Sequence, residues 1–382
     1  MSSTYLFNLS LITSFALFSS GCGSSSSSTQ IPAPTNTADN PVNEPYYKYL
    51  WHINSNYENY KIAGIAINKN ADINITEAWK ITQGENVKIA VLDDAFDVNH
   101  EDLKENIYIT HNVEENSTDV SNKTPLGFTD DEGNKVDGSH GNTCAGFIVA
   151  PINGKGIVGT APKSKLIAVQ FIGETDSTTI QAFEYAKQQG AKVISCSWGT
   201  ENLSEAVESE LKSLYDANIT VLFASGNDGK SLDTENLNDE SESPWVIGVG
   251  ASGENNDITS YSNYSKNLEI LAPGGDTEDS IGVLGIDDTG ERGDENQKDV
   301  VTTSYAFTTG TSFATPITAG VVGLMYAINP NITPLQVRNI LINQSDKIGG
   351  DDASYDENGF DEKRAYGKLN AGKAVLAAKK LL

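Results

Sequence analysis

The sequence predicts an α/β protein of three layers, with a mostly parallel central sheet flanked by helices. Three observations predict it. Short apolar runs rich in β-branched residues recur along the chain, each closed by acidic or small residues, as strands buried on both faces are. Amphipathic stretches of 11 and 14 residues (179–189 and 204–217) lie between them. Strands that alternate with helices make parallel sheets, whose sites form at the carboxyl ends of the strands. With 382 residues, 38% of them hydrophobic, the chain can bury a large core.

Taken in order, residues 87–92 (VKIAVL) read as the first buried strand, ending at Asp93. Residues 166–169, 192–196, 221–224 and 246–249 repeat the pattern. The stretch 179–189 reads as a helix stopped by Gly190. In 204–217, Ser204 stands at a capped start, and Leu203, Val207, Leu211 and Leu214 form one stripe. Small residues from His140 to Ala150 and the apolar run 317–327 read as two further helices.

Charge narrows the function classes. Acidic residues number 52 and basic ones 26, a net charge of −26. Such a surface repels DNA, RNA and anionic lipid, so no nucleic-acid partner is expected. The acid concentrates in loop-like segments rich in Asn, Gly and Ser, which suits solvation or cation binding.

The N-terminus reads as an address. Residues 5–18 (YLFNLSLITSFALF) are apolar but shorter than the ~20 residues a spanning helix needs. They end at Ser19, Ser20, Gly21 and Cys22, an h-region followed by small residues. Gly21-Cys22 resembles a bacterial lipoprotein signal, with 1–21 removed and Cys22 lipidated, and Gly23 resembles an outer-membrane sorting signal. The start lacks Lys and Arg, and Ser19 stands where Leu is usual, so plain secretion is the alternative. Residues 22–45, rich in Ser, Pro and Asn, read as a flexible tether, and 46–382 as one globular domain. Spacing leaves a Cys144–Cys196 pairing open; their apolar surroundings favour buried free thiols.

Three clusters carry chemistry. Asp93-Asp94-Ala95 follows the first strand, where a carboxylate is either catalytic or a cap. His140-Gly141-Asn142-Thr143-Cys144 opens a helix-like segment; its imidazole suits a base near neutral pH, or a cap. Zinc is disfavoured, because no second His or Cys stands at zinc-like spacing. Gly310-Thr311-Ser312-Phe313-Ala314-Thr315-Pro316 places a hydroxyl at a helix start, as nucleophile or N-cap. Pro316 needs no amide partner if it falls in the first turn.

Together these clusters resemble the subtilisin-like serine peptidases, the subtilases, whose triad runs Asp, His, Ser. The resemblance covers about residues 75–380. It implies a three-layer subtilisin-like fold with Asp93, His140 and Ser312 as the triad and Asn227 as oxyanion donor. It further implies Ser197, Trp198, Gly199, Ala224, Ser225 and Gly226 as walls of the primary specificity pocket. Asp93-Asp94, Cys144 and the run from Ser195 to Gly199 resemble the kexin-like branch. Asp233 resembles that branch's pocket acid, which would favour Arg or Lys at P1; a loop cap is the alternative. A β-sandwich domain of the true kexin kind is not expected after this domain.

The resemblance also implies structural calcium, with Asp102, Asn153 and Ile157 as ligand positions; hard oxygen donors suit Ca²⁺. Acidic loops 276–299 and 346–362 are further candidates. The stretch between Cys22 and the motifs is short for the family's usual pro-domain, so the chain is expected to fold unaided or with a separate helper. The implied activity is hydrolysis of polypeptide by an exported, lipid-anchored serine endopeptidase. A catalytically silent subtilase that binds peptide or protein is the alternative, and the oligomeric state is left open.

Overall fold

The structure, a computed structural model, describes residues 42–56, 61–62, 65–126, 138–171, 173, 175–200, 202–235, 238–276, 281–293 and 301–382. The expected signal 1–21, the lipidation site Cys22 and the tether up to residue 41 lie outside the described residues.

Seven strands build the central sheet: β1 (Lys88–Asp93), β2 (Ile107–Asn112), β3 (Lys165–Gln170), β4 (Val193–Cys196), β5 (Thr220–Ala224), β6 (Ile247–Ser252) and β7 (Ile270–Pro273). Their spatial order is β2-β3-β1-β4-β5-β6-β7, and every neighbouring pair is parallel. The predicted three-layer α/β architecture is the one found. Alternation along the strands explains it. Ile89 and Val91 of β1 join one apolar cluster, while Ala90 and Leu92 join the other.

The second cluster is covered by α2 (Asp176–Gln188) and α3 (Glu205–Asp216). Thr175 and Ser204 cap these helices by accepting the amides of Thr178 and Val207, which satisfies one of the orphan donors of each first turn. The first cluster contains residues of α1 (His140–Val149), α4 (Thr311–Ile328), α5 (Pro334–Gln344) and α6 (Ala371–Lys379). By length and hydropathy α4 resembles a membrane span, yet 83% of it is buried inside the body. It is the core helix of the sheet's inner layer. A hairpin of β8 (Val283–Ile286) and β9 (Tyr305–Thr308) lies beside α1, with Gly285 against Thr143 and Phe147.

Two expectations need correction here. The globular body begins before residue 46, since Val42 and Glu44 are already buried in it. Pro316 is the sixth residue of α4, beyond the first turn, so it does remove an amide that the helix would have used. Cys144 and Cys196 are buried free thiols, as expected.

Candidate active site

The carboxyl ends of three adjacent strands deliver the expected residues. Asp93 is the last residue of β1, Ser197 follows β4, and Ala224 closes β5 ahead of Asn227. The opposing wall comes from the N-termini of α1 and α4, which start at His140 and Thr311.

Oδ1 of Asp93 lies 2.9 Å from Nδ1 of His140 and accepts the amide of Asp94 at 2.8 Å. Both side chains are largely buried, 6% and 13% exposed. Burial is the largest influence and works against the imidazolium, but the charge and hydrogen bond of Asp93, together with Cys144, outweigh it and hold His140 well above its ordinary 6.5. Nδ1 is the Asp-facing nitrogen, which leaves Nε2 as the one turned to chemistry.

Ser312 is joined to this pair through shared neighbours. Sγ of Cys144 is 3.9 Å from His140 Nδ1 and donates to the carbonyl of Ser312 at 3.4 Å. The ring of Phe313 lies 5.5 Å from the imidazole. The Ser312 hydroxyl is turned to the carbonyl of Ser197, 3.2 Å away, while the Ser197 hydroxyl donates to the carbonyl of Ser312 at 2.7 Å. Asp93, His140 and Cys144 also present ligand-type atoms within 4.8 Å of one another. Burial pushes the Cys144 thiol up, so it stays protonated and is a poor metal ligand.

Asn227 is anchored by Thr311, whose amide and hydroxyl both donate to its Oδ1 at 2.9 Å. Nδ2, on the other arm of the amide, is the donor group an oxyanion would need. Thr311 stands in the Ser motif, and nothing in its residue type announces this role.

The expected pocket walls run side by side. Gly199 is exposed, and Trp198 turns its ring inward, with its indole N–H on the Leu92 carbonyl and its face near Phe171 and Phe223. Ser225 is held by the carbonyls of Asn263 and Val249, and Gly226 donates its amide to the Thr311 hydroxyl. Asp233 is not on these walls. Its carboxylate accepts the Lys266 amide at 2.9 Å and pairs with its ammonium at 2.8 Å, which is how a loop-capping acid behaves. The carboxylate beside Gly199 is that of Asp239, 5% exposed; a Cβ on Gly199 would lie 2.6 Å from its Oδ2. Asp239 sits in a polar stretch whose sequence carries no pattern to mark it.

A second acidic cluster forms behind the His helix. Asp102 is fully buried. Its Oδ2 accepts from Ile157 N at 2.8 Å and Tyr305 OH at 2.9 Å, and its Oδ1 has no partner among the described residues. Glu44, also fully buried, accepts the amides of Asn153 and Gly154 through Oε1 at 2.9 and 3.0 Å. Burial pushes both carboxyls up to about 7, with the charge of Asp102 adding to the effect on Glu44. So the structure gathers Asp102, Asn153 and Ile157 as expected, and adds Glu44, which had been assigned to the tether. Two buried carboxylates with a bare oxygen between backbone loops fit a hard cation.

The other candidate loops differ in what is described of them. In 346–362, Asp356 accepts the amides of Asn358 and Phe360, and Asp361 pairs with Arg364. The acidic stretch 276–299 contains β8, and its residues 277–280 and 294–299 lie outside the described residues.

Comparison with known proteins agrees with this geometry. Residues 84–367 match the Subtilase family. The chain is 31% identical over 304 residues to a probable subtilase-type serine protease of Deinococcus radiodurans, covering 76% of this chain and 40% of that protein. It is 30% identical over 358 residues to a calcium-dependent protease of Trichormus variabilis, covering 85% of this chain and 50% of the other. The chain thus spans half or less of the length of these relatives. The fold matches that of an Aeromonas sobria serine protease solved in complex with a chaperone, with a TM-score of 0.73 at 19% identity over 88% of this chain and 67% of that one.

Proposed function

The chain belongs to the subtilase family, and on that footing we propose that it is a serine endopeptidase acting on polypeptide. The observation that carries this reading is the 2.9 Å Asp93–His140 contact, formed beside a helix whose first turn carries Ser312. Ser312 attacks the scissile carbonyl after its hydroxyl turns from the Ser197 carbonyl to Nε2 of His140, which takes the proton. His140 then gives that proton to the leaving amine, and Asp93 holds the ring and stabilises its charged form. Asn227 Nδ2 and the Ser312 amide donate to the oxyanion. Water releases the acyl-enzyme by the same proton path. The substrate lies extended along Ser197–Gly199 as an added strand.

A labelling experiment separates this from a silent binding fold. A fluorophosphonate probe is expected to mark the wild-type protein and not Ser312→Ala; an unmarked wild type removes the peptidase reading.

A basic residue at P1 is inferred from a buried acid at the pocket wall, with Asp239 in place of Asp233. A carboxylate there can take a guanidinium in a bidentate pair, which offsets desolvation. On a peptide library, Asp239→Asn is expected to lower kcat/KM for Arg at P1 by about tenfold or more. The Asp93-Asp94 pair and Cys144 support a kexin-like leaning within the family.

Calcium is proposed at Glu44, Asp102, Asn153 and Ile157. When bound it would supply positive charge that lets both buried carboxylates ionise. The Trichormus relative's name, a calcium-dependent protease, supports this. Export with a lipid anchor at Cys22, in the outer membrane, is inferred from the h-region and Gly21-Cys22. A separate folding helper is proposed too, on the precedent of the Aeromonas protease and its chaperone.

A further inference from the structure

Asp93 serves the imidazole through its side chain; Asp94, next to it, serves the helix that carries the imidazole. The first amides of α1 need acceptors from outside the helix. Those of Asn142 and Thr143 find the Ser139 carbonyl. Those of His140 and Gly141 find the Asp94 carboxylate, at 3.2 Å on Oδ2 and 2.8 Å on Oδ1. Ser139, the residue at the cap position, makes no side-chain cap bond, because its hydroxyl donates to Asp288 at 2.7 Å. Asp94 therefore supplies, from a separate segment, the acceptors that the capping residue withholds.

Close backbone approach makes this possible. A Cβ on Gly141 would lie 2.6 Å from Asp93 Cβ and 2.8 Å from the Ala95 carbonyl. The loop after β1 and the start of α1 thus touch through their main chains, with the two acidic residues between them.

We propose that Asp94 is a positioning residue for the catalytic base, clamping the first two amides of α1 so that His140 stays on Asp93, and adding a second negative charge near the ring. The inference rests on reading His140 as the base. The titratable groups facing His140 are Asp93 and Asp94 after β1 and Cys144 along its own helix. From α4 it meets Phe313, which carries no charge. Burial and the charge of Asp93 push Asp94 up, while the imidazolium pulls it down, so Asp94 and His140 each favour the other's charged form.

The test uses Asp94→Asn and Asp94→Ala in the full chain. The chain has four histidines, so the His140 ring can be followed by NMR across pH, beside kcat and KM on a peptide substrate. The ring pKa is expected to fall by about one unit in both variants. The limiting kcat at high pH is expected to fall about tenfold in Asp94→Ala, with KM nearly unchanged. Asp94→Asn keeps one acceptor oxygen and should lose less kcat. A ring pKa unmoved in both variants overturns the proposal. So does a wild-type limiting kcat in Asp94→Ala, since a merely structural cap would alter thermal stability alone. If Asp94→Ala does not fold, Asp94→Asn decides by its ring pKa. If the wild-type protein turns over no peptide, the peptidase reading fails, and the ring titration still decides the role of Asp94.

Discussion

Ser197 and Ser312 exchange hydrogen bonds: the Ser197 hydroxyl donates to the Ser312 carbonyl at 2.7 Å, and the Ser312 hydroxyl donates to the Ser197 carbonyl at 3.2 Å. Pro316 explains the first bond. Within α4 the carbonyl of Ser312 should accept the amide of residue 316, and proline has none. The carbonyl is left to Ser197 and Cys144, which tie the nucleophile's backbone to the pocket segment after β4 and to α1. Ser197→Ala is therefore expected to lower kcat about fivefold, matching the ~1 kcal/mol of one hydrogen bond. Pro316→Ala, which restores a competing amide, should act in the same direction. Steady-state kinetics on one peptide checks both; wild-type kcat in the two variants would refute the account.

Asn227 is held at its oxygen by both donors of Thr311, so its amide nitrogen is fixed before substrate arrives. Preorganised donors contribute mainly to the transition state. Asn227→Ala is expected to cut kcat by about 10²–10³-fold with KM little changed. Thr311→Val keeps the backbone donor and loses the hydroxyl, so it should fall between that variant and wild type. A loss confined to KM would show that Asn227 binds the ground state instead.

The raised pKa of His140 has opposite consequences for rate and stability. As a base the ring must be neutral, so kcat/KM should climb as pH rises through a value well above 6.5. The ion pair with Asp93 stabilises the fold fully below the unfolded value of about 6.5 and is lost as pH rises through the folded one. Activity should therefore increase over the range in which stability declines. Asp93→Asn removes the cause and should move both transitions to lower pH. Rate profiles and urea unfolding between pH 6 and 10 measure the two together; a wild-type acid limb in Asp93→Asn would contradict the assignment.

The parts legible in sequence were those whose chemistry coincides with local pattern. β1, β3, β4, β5 and β6 are buried on both faces, so they appear as apolar runs. β2 reads IYITHN and keeps several side chains partly exposed at the sheet edge, so no run marks it. β7 follows Glu269 and ends in Pro273, which cut its apolar run short, and the β8–β9 hairpin is embedded in a stretch whose acid dominates the pattern. Asp93, His140 and Ser312 stood out because each falls where an element begins or ends. Glu44 and Asp239 did not, because what makes them notable is burial against segments far away in the chain. Asp233 misled for the same reason: its partner Lys266 is 33 residues on.

Glu44 and Asp102 make metal removal a pH-dependent event. Their folded pKa values, pushed up to about 7, lie above the unfolded values, so without a cation the folded state holds protons that the unfolded chain releases. That stabilisation is present below about pH 4 and is lost as pH rises through 7. A divalent cation takes the protons' place and offsets the loss, most strongly where both carboxylates are ionised. Chelation should therefore lower the melting temperature little at pH 5 and by on the order of 5 °C at pH 8. Added Ca²⁺ should restore it. Glu44→Gln removes one charge from the pair and should shrink the difference between chelated and calcium-loaded protein. Scanning calorimetry at the two pH values, with EDTA or calcium, measures this. Identical transitions at pH 8 under both conditions would mean that the orphaned oxygen of Asp102 is met by something other than calcium.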